Sequence, residues 1–204
     1  MRLSNFVIDT CNLNEGIDVS KHLKKIRNEC SEILNIYQYT FPNGLYRASD
    51  SRFIFKSRTP REDRDPRDTK PEVHEVLDKV FNEIFGWKVR SEGVFTSPSF
   101  PYADIFGDYK YYIFPTNGFK YVYNKTGNEN IYDFIRNVFY TEGVTNETTD
   151  VLRRIIEREY TDKSLERVIQ QSSGVEVIIK CNKYYALYVD QDNSQALTYF
   201  LEKM

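Results

Sequence analysis

The stretch Gly174-Val175-Glu176-Val177-Ile178-Ile179-Lys180-Cys181-Asn182-Lys183-Tyr184-Tyr185-Ala186-Leu187 carries the clearest fold information in the chain. Two runs of β-branched and aromatic residues, 177–180 and 184–189, lie on either side of Asn182-Lys183. Such runs favour extended strands, and a two-residue turn between them is typical of a β-hairpin. The stretch therefore predicts a strand pair, with Glu176 at the start of its first strand.

Helical patterns dominate much of the sequence before this stretch. Apolar residues recur at helical spacing over residues 20–37, and between Pro71 and Gly86 they form one continuous apolar face. Pro71 suits a first helical turn, Gly86 suits a helix stop, and Thr69 with Glu72 matches a capping box. The sequence therefore predicts two long amphipathic helices that pack on a core.

Shorter segments fill the remainder of the chain. Strands are expected at residues 45–48, 52–56, 89–95, 109–114 and 119–123, and helices at 103–106, 129–138, 151–156 and 195–201. No internal repeat is present. This arrangement favours an α+β domain in which helices surround a mainly antiparallel sheet.

The size and charge of the chain limit its organisation and its partners. With 204 residues and 40% hydrophobic content we expect a single domain, residues 1–204, in which residues 1–40 form an N-terminal helical part. A net charge of −2 argues against a broad cationic surface, although a local basic patch stays open. No run approaches the about 20 apolar residues of a membrane helix, and the first ten residues lack a signal-peptide core. We therefore expect a cytoplasmic protein with no membrane partner.

Cysteine and histidine usage argues against several kinds of site. The three cysteines have no Cys-x-x-Cys spacing, and the two histidines, His22 and His74, both fall in predicted helices. A disulfide framework, a structural zinc site and a hydrolase with a histidine base are all disfavoured. No metal site is predicted.

A charged loop is expected between Lys56 and Lys70. Four arginines alternate there with acidic residues, and Pro60 and Pro66 prevent a regular helix. The loop either contacts a phosphate or a partner, or it is a solvated connection whose opposite charges offset. The second interpretation is favoured.

Three short segments far apart in the sequence carry residues suited to chemistry. They are Leu45-Tyr46-Arg47-Ala48, then Gly93-Val94-Phe95-Thr96-Ser97 followed by Tyr102-Ala103-Asp104-Ile105-Phe106-Gly107, and last the strand that Glu176 opens. In this order they resemble the Arg, Ser/Thr, Glu triad of ADP-ribosyltransferases, in particular the bacterial or phage-like mono-ADP-ribosyltransferases. That family splits NAD at its nicotinamide bond and passes the ADP-ribose to an acceptor.

The resemblance implies a fold and a set of catalytic residues. It implies a split, mainly antiparallel sheet with flanking helices, in which residues 41–204 form the NAD-binding core and NAD lies in a cleft between the two halves. Glu176 corresponds to the catalytic glutamate, and Arg47 to the arginine that binds NAD phosphate. Thr96 or Ser97 corresponds to the hydroxyl that orients the glutamate and lines the nicotinamide pocket, with Thr96 the first choice.

The resemblance also implies which aromatic residues contact NAD. Tyr46, which precedes Arg47, is expected to be one of the residues that bind NAD. Tyr102 or Phe106 corresponds to the aromatic residue that lies over the nicotinamide ring. Either residue is equally compatible with simple packing.

NAD chemistry explains why a single carboxylate can be enough. Most glycosidases use two carboxylates because the leaving oxygen must be protonated. Nicotinamide leaves from a cationic pyridinium and becomes neutral as it departs, so it needs no general acid. One carboxylate near the ribose can therefore stabilise the positive charge that develops on the sugar.

The acceptor and the activity itself stay open at this point. Members of the family often carry Glu or Gln two residues before the catalytic glutamate, whereas this chain has Gly174. This departure argues against arginine-directed transfer and leaves open whether the acceptor is a protein or a nucleic acid. The first alternative is an NAD glycohydrolase, in which water replaces the acceptor. The second is a non-catalytic interaction protein, which predicts that Arg47, Thr96 and Glu176 do not converge or converge without a cleft.

Overall fold

The computed structural model describes residues 19–62, 69–126, 131, 134–172 and 174–204. Within these ranges the α-helices are α1 (Val19–Glu29), α2 (Ser31–Thr40), α3 (Pro71–Phe85), α4 (Val89–Glu92), α5 (Tyr140–Glu142), α6 (Asn146–Glu159), α7 (Leu165–Gln171) and α8 (Gln191–Glu202). The strands are β1 (Tyr46–Ser49), β2 (Phe55–Arg58), β3 (Val94–Thr96), β4 (Tyr109–Pro115), β5 (Lys120–Asn124), β6 (Tyr160–Thr161), β7 (Val177–Lys180) and β8 (Tyr184–Tyr188). A 3-10 helix spans Tyr102–Phe106, and a π-helical turn, Ile135–Phe139, leads into α5.

The strands form two antiparallel sheets. Sheet A has the order β1-β4-β8-β2, and sheet B has the order β3-β7-β5-β6. One isolated bridge joins them, in which Tyr46 and Ser97 exchange backbone hydrogen bonds of 2.7 and 2.9 Å. The chain therefore has the α+β class that the sequence predicts, with its strands divided between two sheets.

The predicted hairpin at residues 177–189 is wrong. Strand β7 pairs with β3 and β5 in sheet B, whereas β8 pairs with β4 and β2 in sheet A. Residues 177–179 and 184–187 are buried, so each strand is central in its sheet and has a partner on both sides. The Asn182-Lys183 turn instead carries the chain from one sheet to the other.

Two hydrophobic cores cover the sheets. The first contains residues of α1, α2, α7 and α8 together with Val177 and Ile179 of β7. The second contains residues of α3, α6 and the π-helical turn together with Ile178. Because successive side chains of a strand point to opposite faces, β7 contributes to both cores and lies between them.

Several helix boundaries differ from the sequence predictions. The helix expected over residues 20–37 is divided into α1 and α2 at Cys30, whose backbone leaves the helical region. Helix α3 begins at Pro71 and ends at Gly86 in a left-handed conformation, as predicted, but Lys70 is the N-cap residue and no side chain caps the helix. The strand expected over residues 89–95 begins as the four-residue helix α4, and only its last part is extended.

Other predicted elements agree with the structure or are only partly described. Strands β4 and β5, the short helix ending near Gly107 and the helices around residues 151–156 and 195–201 are present. The strand expected at 52–56 is shifted to β2. Residues 129, 130, 132 and 133 of the expected helix 129–138 lie outside the described residues. No helix in the described ranges has both the length and the apolar character needed to cross a bilayer.

Candidate active site at the junction of the two sheets

Arg47 lies at the point where the two sheets meet. It follows Tyr46, whose backbone forms the bridge to Ser97, and its Nη1 donates a 2.7 Å hydrogen bond to the carbonyl of Phe95. The side chain therefore continues the link between the sheets beyond the backbone bridge. Burial lowers the pKa of Arg47, and Arg58 acts in the same direction, whereas Tyr184 and Glu176 oppose the shift. Glu176 is thus within electrostatic range of Arg47.

Glu176 directly precedes β7 and lies across from the end of β3. In the antiparallel pair of β3 and β7, Thr96 lies opposite Val177. If this register is continued by one residue, Ser97 comes opposite Glu176. Strand alternation places Glu176 on the face of Ile178. The sequence predicted that residues near 47, 96 and 176 come together, and the structure brings all three positions to this junction.

Arg90 is the residue of the junction that sequence reasoning missed. Its Nη1 lies 3.6 Å from Oε2 of Glu176, with both side chains largely buried. Its guanidinium also lies 4.9 Å from the centre of the Phe95 ring. These contacts place Arg90 on the same face as Glu176. The carboxylate therefore lies in the field of two arginines, Arg47 and Arg90.

A buried carboxylate on α3 positions the helix that carries Arg90. Asp78 accepts hydrogen bonds from the backbone N–H of Arg90 at 2.7 Å and of Ser91 at 3.2 Å, and from the Ser91 hydroxyl. His74 Nε2 lies 3.0 Å from the Ser91 hydroxyl oxygen. A four-residue helix has little stability of its own, so these bonds to α3 fix its position. The available sequence signal was the His74 and Asp78 pair at positions i and i+4, beside an apolar face.

The two hydroxyls of the junction have different hydrogen bonds. The Thr96 hydroxyl is fully buried and donates to the carbonyl of Val177 at 2.7 Å. Its single proton is therefore not directed at Glu176. The Ser97 oxygen accepts from the N–H of Ser99 at 3.1 Å, which leaves the serine proton for another acceptor. The Thr96 bond argues against Thr96, the first choice from sequence, as the hydroxyl that orients Glu176, and Ser97 is the remaining candidate.

Tyr46 supports the junction from the core side. Its hydroxyl donates to the carbonyl of Pro42 at 2.7 Å, and its ring packs 5.1 Å from that of Tyr112 and 5.4 Å from that of Phe100. Burial raises the pKa of Tyr46. Strand alternation directs Arg47 to the opposite face of β1. Tyr46 therefore holds the strand in place, and its predicted contact with NAD has no support from this geometry.

Tyr102 lies beside the loop that leads into Glu176. A Cβ atom added to Gly174 would lie 3.4 Å from the Tyr102 ring, and the Ser172 hydroxyl donates to the carbonyl of Pro98 at 3.0 Å. Two segments far apart in sequence are thus held together next to the junction. The side chain of Phe106, the other predicted aromatic contact, lies outside the described part of the structure.

Two surface depressions lie on the side of α3. One is lined by Leu77, Phe81, Arg90, Ile131, Ile135, Tyr160 and Ile178, and the other by His74, Glu75, Asp78, Lys79, Asn82, Lys88 and Ser91. Neither is lined by Arg47, Ser97 or Glu176. Neither depression therefore corresponds to the NAD cleft expected between the two halves of the sheet, and Arg90 borders the first.

No family model, no curated protein and no solved structure matches this chain. The case for a function therefore depends on the geometry of the junction.

Proposed function

We propose that the chain is a mono-ADP-ribosyltransferase that cleaves NAD at the nicotinamide bond and transfers ADP-ribose to a protein or nucleic-acid acceptor. The observation that carries the proposal is the convergence of Arg47, Thr96-Ser97 and Glu176 at one junction. The hydrogen bond from Arg47 spans 48 residues, and the one from Thr96 spans 81. Their convergence argues against the form of the non-catalytic alternative in which these residues lie apart. The form in which they converge without a cleft is separated from the enzyme by the activity assay.

Glu176 stabilises the reacting ribose. As the glycosidic bond breaks, its electron pair moves to the nicotinamide nitrogen, and positive charge develops on the sugar. The carboxylate accepts hydrogen bonds from the ribose hydroxyls and lies close to that charge, so it stabilises the transition state more than bound NAD. The acceptor then forms the new bond to the ribose carbon and loses a proton.

Arg47 holds the diphosphate of NAD. A guanidinium is planar and can bind phosphate oxygens at two points. The hydrogen bond to Phe95 fixes the plane of this group at the junction. Because Arg47 bonds to β3 and Glu176 directly precedes β7, the strand that pairs with β3, one NAD molecule can meet both residues.

The hydroxyls and Tyr102 complete the site. Ser97 orients the carboxylate of Glu176, whereas Thr96 fixes the first residue of β7 through the Val177 carbonyl. Tyr102 packs against the nicotinamide ring. Arg90 holds Glu176 before NAD arrives, and the ribose hydroxyls then compete for the same carboxylate.

The test measures both products of NAD cleavage. Purified wild-type protein and Glu176→Gln are incubated with NAD labelled in its ADP-ribose part, together with a bacterial lysate or added nucleic acid. Glu157→Gln, an exposed glutamate on α6, is the matched control. Released nicotinamide and labelled macromolecules are quantified.

Each result of this test points to one function. Label transfer by wild type and Glu157→Gln, but not by Glu176→Gln, supports the transferase. If nicotinamide is released in a Glu176-dependent way but no macromolecule is labelled, the function is NAD hydrolysis rather than transfer. If neither released nicotinamide nor labelled macromolecules are detected in any mixture, the proposal is overturned. The non-catalytic interaction protein is then the remaining alternative.

A further inference from the structure

The loop between β1 and β2 is fixed on the face of sheet A that carries Arg47. The Phe53 ring stacks on Tyr111 of β4, with ring centres 4.0 Å apart and planes 10° apart. The Tyr111 hydroxyl accepts a 3.1 Å hydrogen bond from the Phe53 N–H and donates one of 2.8 Å to the carbonyl of Ser51. Both the ring and the backbone of this loop are therefore held in place.

Three cations lie over the aromatic rings of this face. The Arg52 guanidinium is 5.2 Å from the centre of the Tyr188 ring, and Lys56 and Arg58 are each 5.6 Å from the centre of Phe53. Within the described ranges no carboxylate oxygen comes within 4.0 Å of these three cations. Contact with a ring face leaves the N–H groups able to bind an anion. We refer to Arg52, Phe53, Lys56 and Arg58 as the aromatic-cation platform.

Positive charge is concentrated in this segment. Residues 47–61 contain five Arg or Lys residues and one acidic residue, Asp50, which gives +4, whereas the whole chain has −2. The rest of the sequence is therefore at −6. A local positive field of this kind attracts polyanions although the protein as a whole is acidic.

The platform adjoins the proposed NAD site. Arg58 lowers the pKa of Arg47, as expected for neighbouring positive charges, and Glu176 raises it. Arg47 also pairs with Tyr111 across β1 and β4, and the Phe53 ring stacks on Tyr111, so the platform and Arg47 share one face of sheet A. A molecule bound on the platform would have one end near the reacting ribose.

We propose that the aromatic-cation platform binds a single-stranded nucleic acid, which is the acceptor of ADP-ribose. The inference rests on the proposed transferase function and names its acceptor class. NAD has two phosphates, for which Arg47 is the proposed ligand, and the additional cations match a polymer that repeats its phosphates. Guanidinium planes held over aromatic rings can stack on exposed bases, which only unpaired strands present.

The experiment measures binding and NAD kinetics in parallel. The probe is a fluorescent single strand of about 12 nucleotides, as DNA and as RNA, titrated over a range of salt concentrations. Heparin and phosphatidylserine vesicles serve as polyanions without bases. The variants are Arg52→Gln/Lys56→Gln and a matched control, Lys21→Gln/Lys24→Gln, which removes the same charge from α1. That helix packs on the opposite face of sheet A, where His22 stacks on Phe55.

The proposal expects a specific set of changes. The platform variant binds the strand more weakly, and its salt slope falls by about 1.4, because each lost phosphate contact of a single strand contributes about 0.7. The α1 control and Glu176→Gln bind the strand like the wild type. The KM for NAD stays unchanged in the platform variant, and heparin and vesicles compete poorly.

Other results overturn the proposal and identify the reason. Equal losses in both double variants mean that total charge, rather than the platform, binds the strand. Binding of heparin or vesicles as tight as that of the strand means that bases are not recognised. A raised KM for NAD with unchanged strand binding assigns the platform to the adenylate half of NAD. Strand binding without nicotinamide release would refute the transferase but not the binding site, and nicotinamide release without strand binding would refute only the platform.

Discussion

The two sheets contribute to the junction in different ways. On sheet A, Arg47 donates to a backbone carbonyl of sheet B, so its guanidinium is part of the link between the sheets. On sheet B, Glu176 meets the side chain of Arg90 at 3.6 Å, and Arg90 belongs to a short helix that Asp78 positions. We therefore expect Arg47 to serve both the fold and the site, and Glu176 to serve the site alone.

The largest expected effect is the loss of activity in Glu176→Gln. The amide keeps the shape and can still accept a bond from Arg90, but it does not stabilise the cationic ribose. NAD cleavage should fall by about 100- to 1,000-fold, the usual effect of removing one preorganised electrostatic group. The melting temperature should stay within about 4 °C of wild type, because the amide can still accept a hydrogen bond from Arg90 and only the charge of the pair is lost. A similar cleavage rate in the variant would remove Glu176 from the mechanism.

Arg47→Ala should reduce both activity and stability. It removes a charge-assisted hydrogen bond at the sheet junction, which typically stabilises a fold by about 1.5–3 kcal/mol. Denaturant unfolding should show a loss of that size, and the KM for NAD should rise. Arg27→Ala, an exposed arginine on α1, is the control and should change neither quantity. Full stability in Arg47→Ala would show that the backbone bridge alone joins the sheets.

Substitutions of Asp78 test whether the role of Arg90 depends on the hydrogen bonds that hold its helix on α3. Asp78→Ala leaves the N–H groups of Arg90 and Ser91 without their acceptor and should cost about 2–3 kcal/mol of unfolding free energy. Asp78→Asn keeps one acceptor oxygen and should cost less. If Asp78 acts through Arg90, the activity losses of Asp78→Asn and Arg90→Gln will not add in the double variant. Additive losses would mean that Asp78 stabilises the fold but does not act on the site through Arg90.

Substitutions of the two neighbouring hydroxyls should have smaller effects, which distinguish a role in the fold from a role in the site. Thr96→Val removes the bond to the Val177 carbonyl and should cost about 1 kcal/mol of stability with little change in kcat at a temperature where the variant is folded. Ser97→Ala removes the acceptor of the Ser99 N–H and should cost a similar amount of stability, but it should also lower kcat about tenfold. Unfolding curves and single-turnover rates measure the two effects. The reverse pattern would return the orienting role to Thr96.

Sequence reasoning found the local elements better than it found their partners. The face of α3, the stop at Gly86 and the strands β4 and β5 depend on local periodicity and local turn chemistry, and these were predicted. The hairpin at residues 177–189 was not, because the turn signal of Asn182-Lys183 fixes a reversal of the chain but not the sheet that each strand joins. Strand partners depend on burial over long sequence separations, which local patterns do not encode.

The same limit applies at the candidate site. The sequence supplied Arg47, Thr96-Ser97 and Glu176 through a resemblance, but the choice between the two hydroxyls depends on strand alternation and register. Arg90 was missed because the segment 89–95 was expected to be extended. Its helical start depends on the buried Asp78 of α3, which supplies hydrogen-bond acceptors from outside the segment.

The smallest expected effect concerns an ion pair away from the junction. Hydrogen bonds from Lys183 and Tyr185 lower the pKa of Glu29. A carboxyl group with a lowered folded-state pKa stabilises the fold above its unfolded-state pKa, and this contribution disappears as the pH falls through the folded-state value. Because the group is exposed, the contribution should stay below about 1 kcal/mol at neutral pH. Glu29→Gln should therefore be slightly less stable than wild type at pH 7 and equally stable in strong acid, with unchanged NAD cleavage. An activity loss in this variant would mean that the junction is coupled to the Lys183 turn between β7 and β8, and that Glu176 is not independent of the fold.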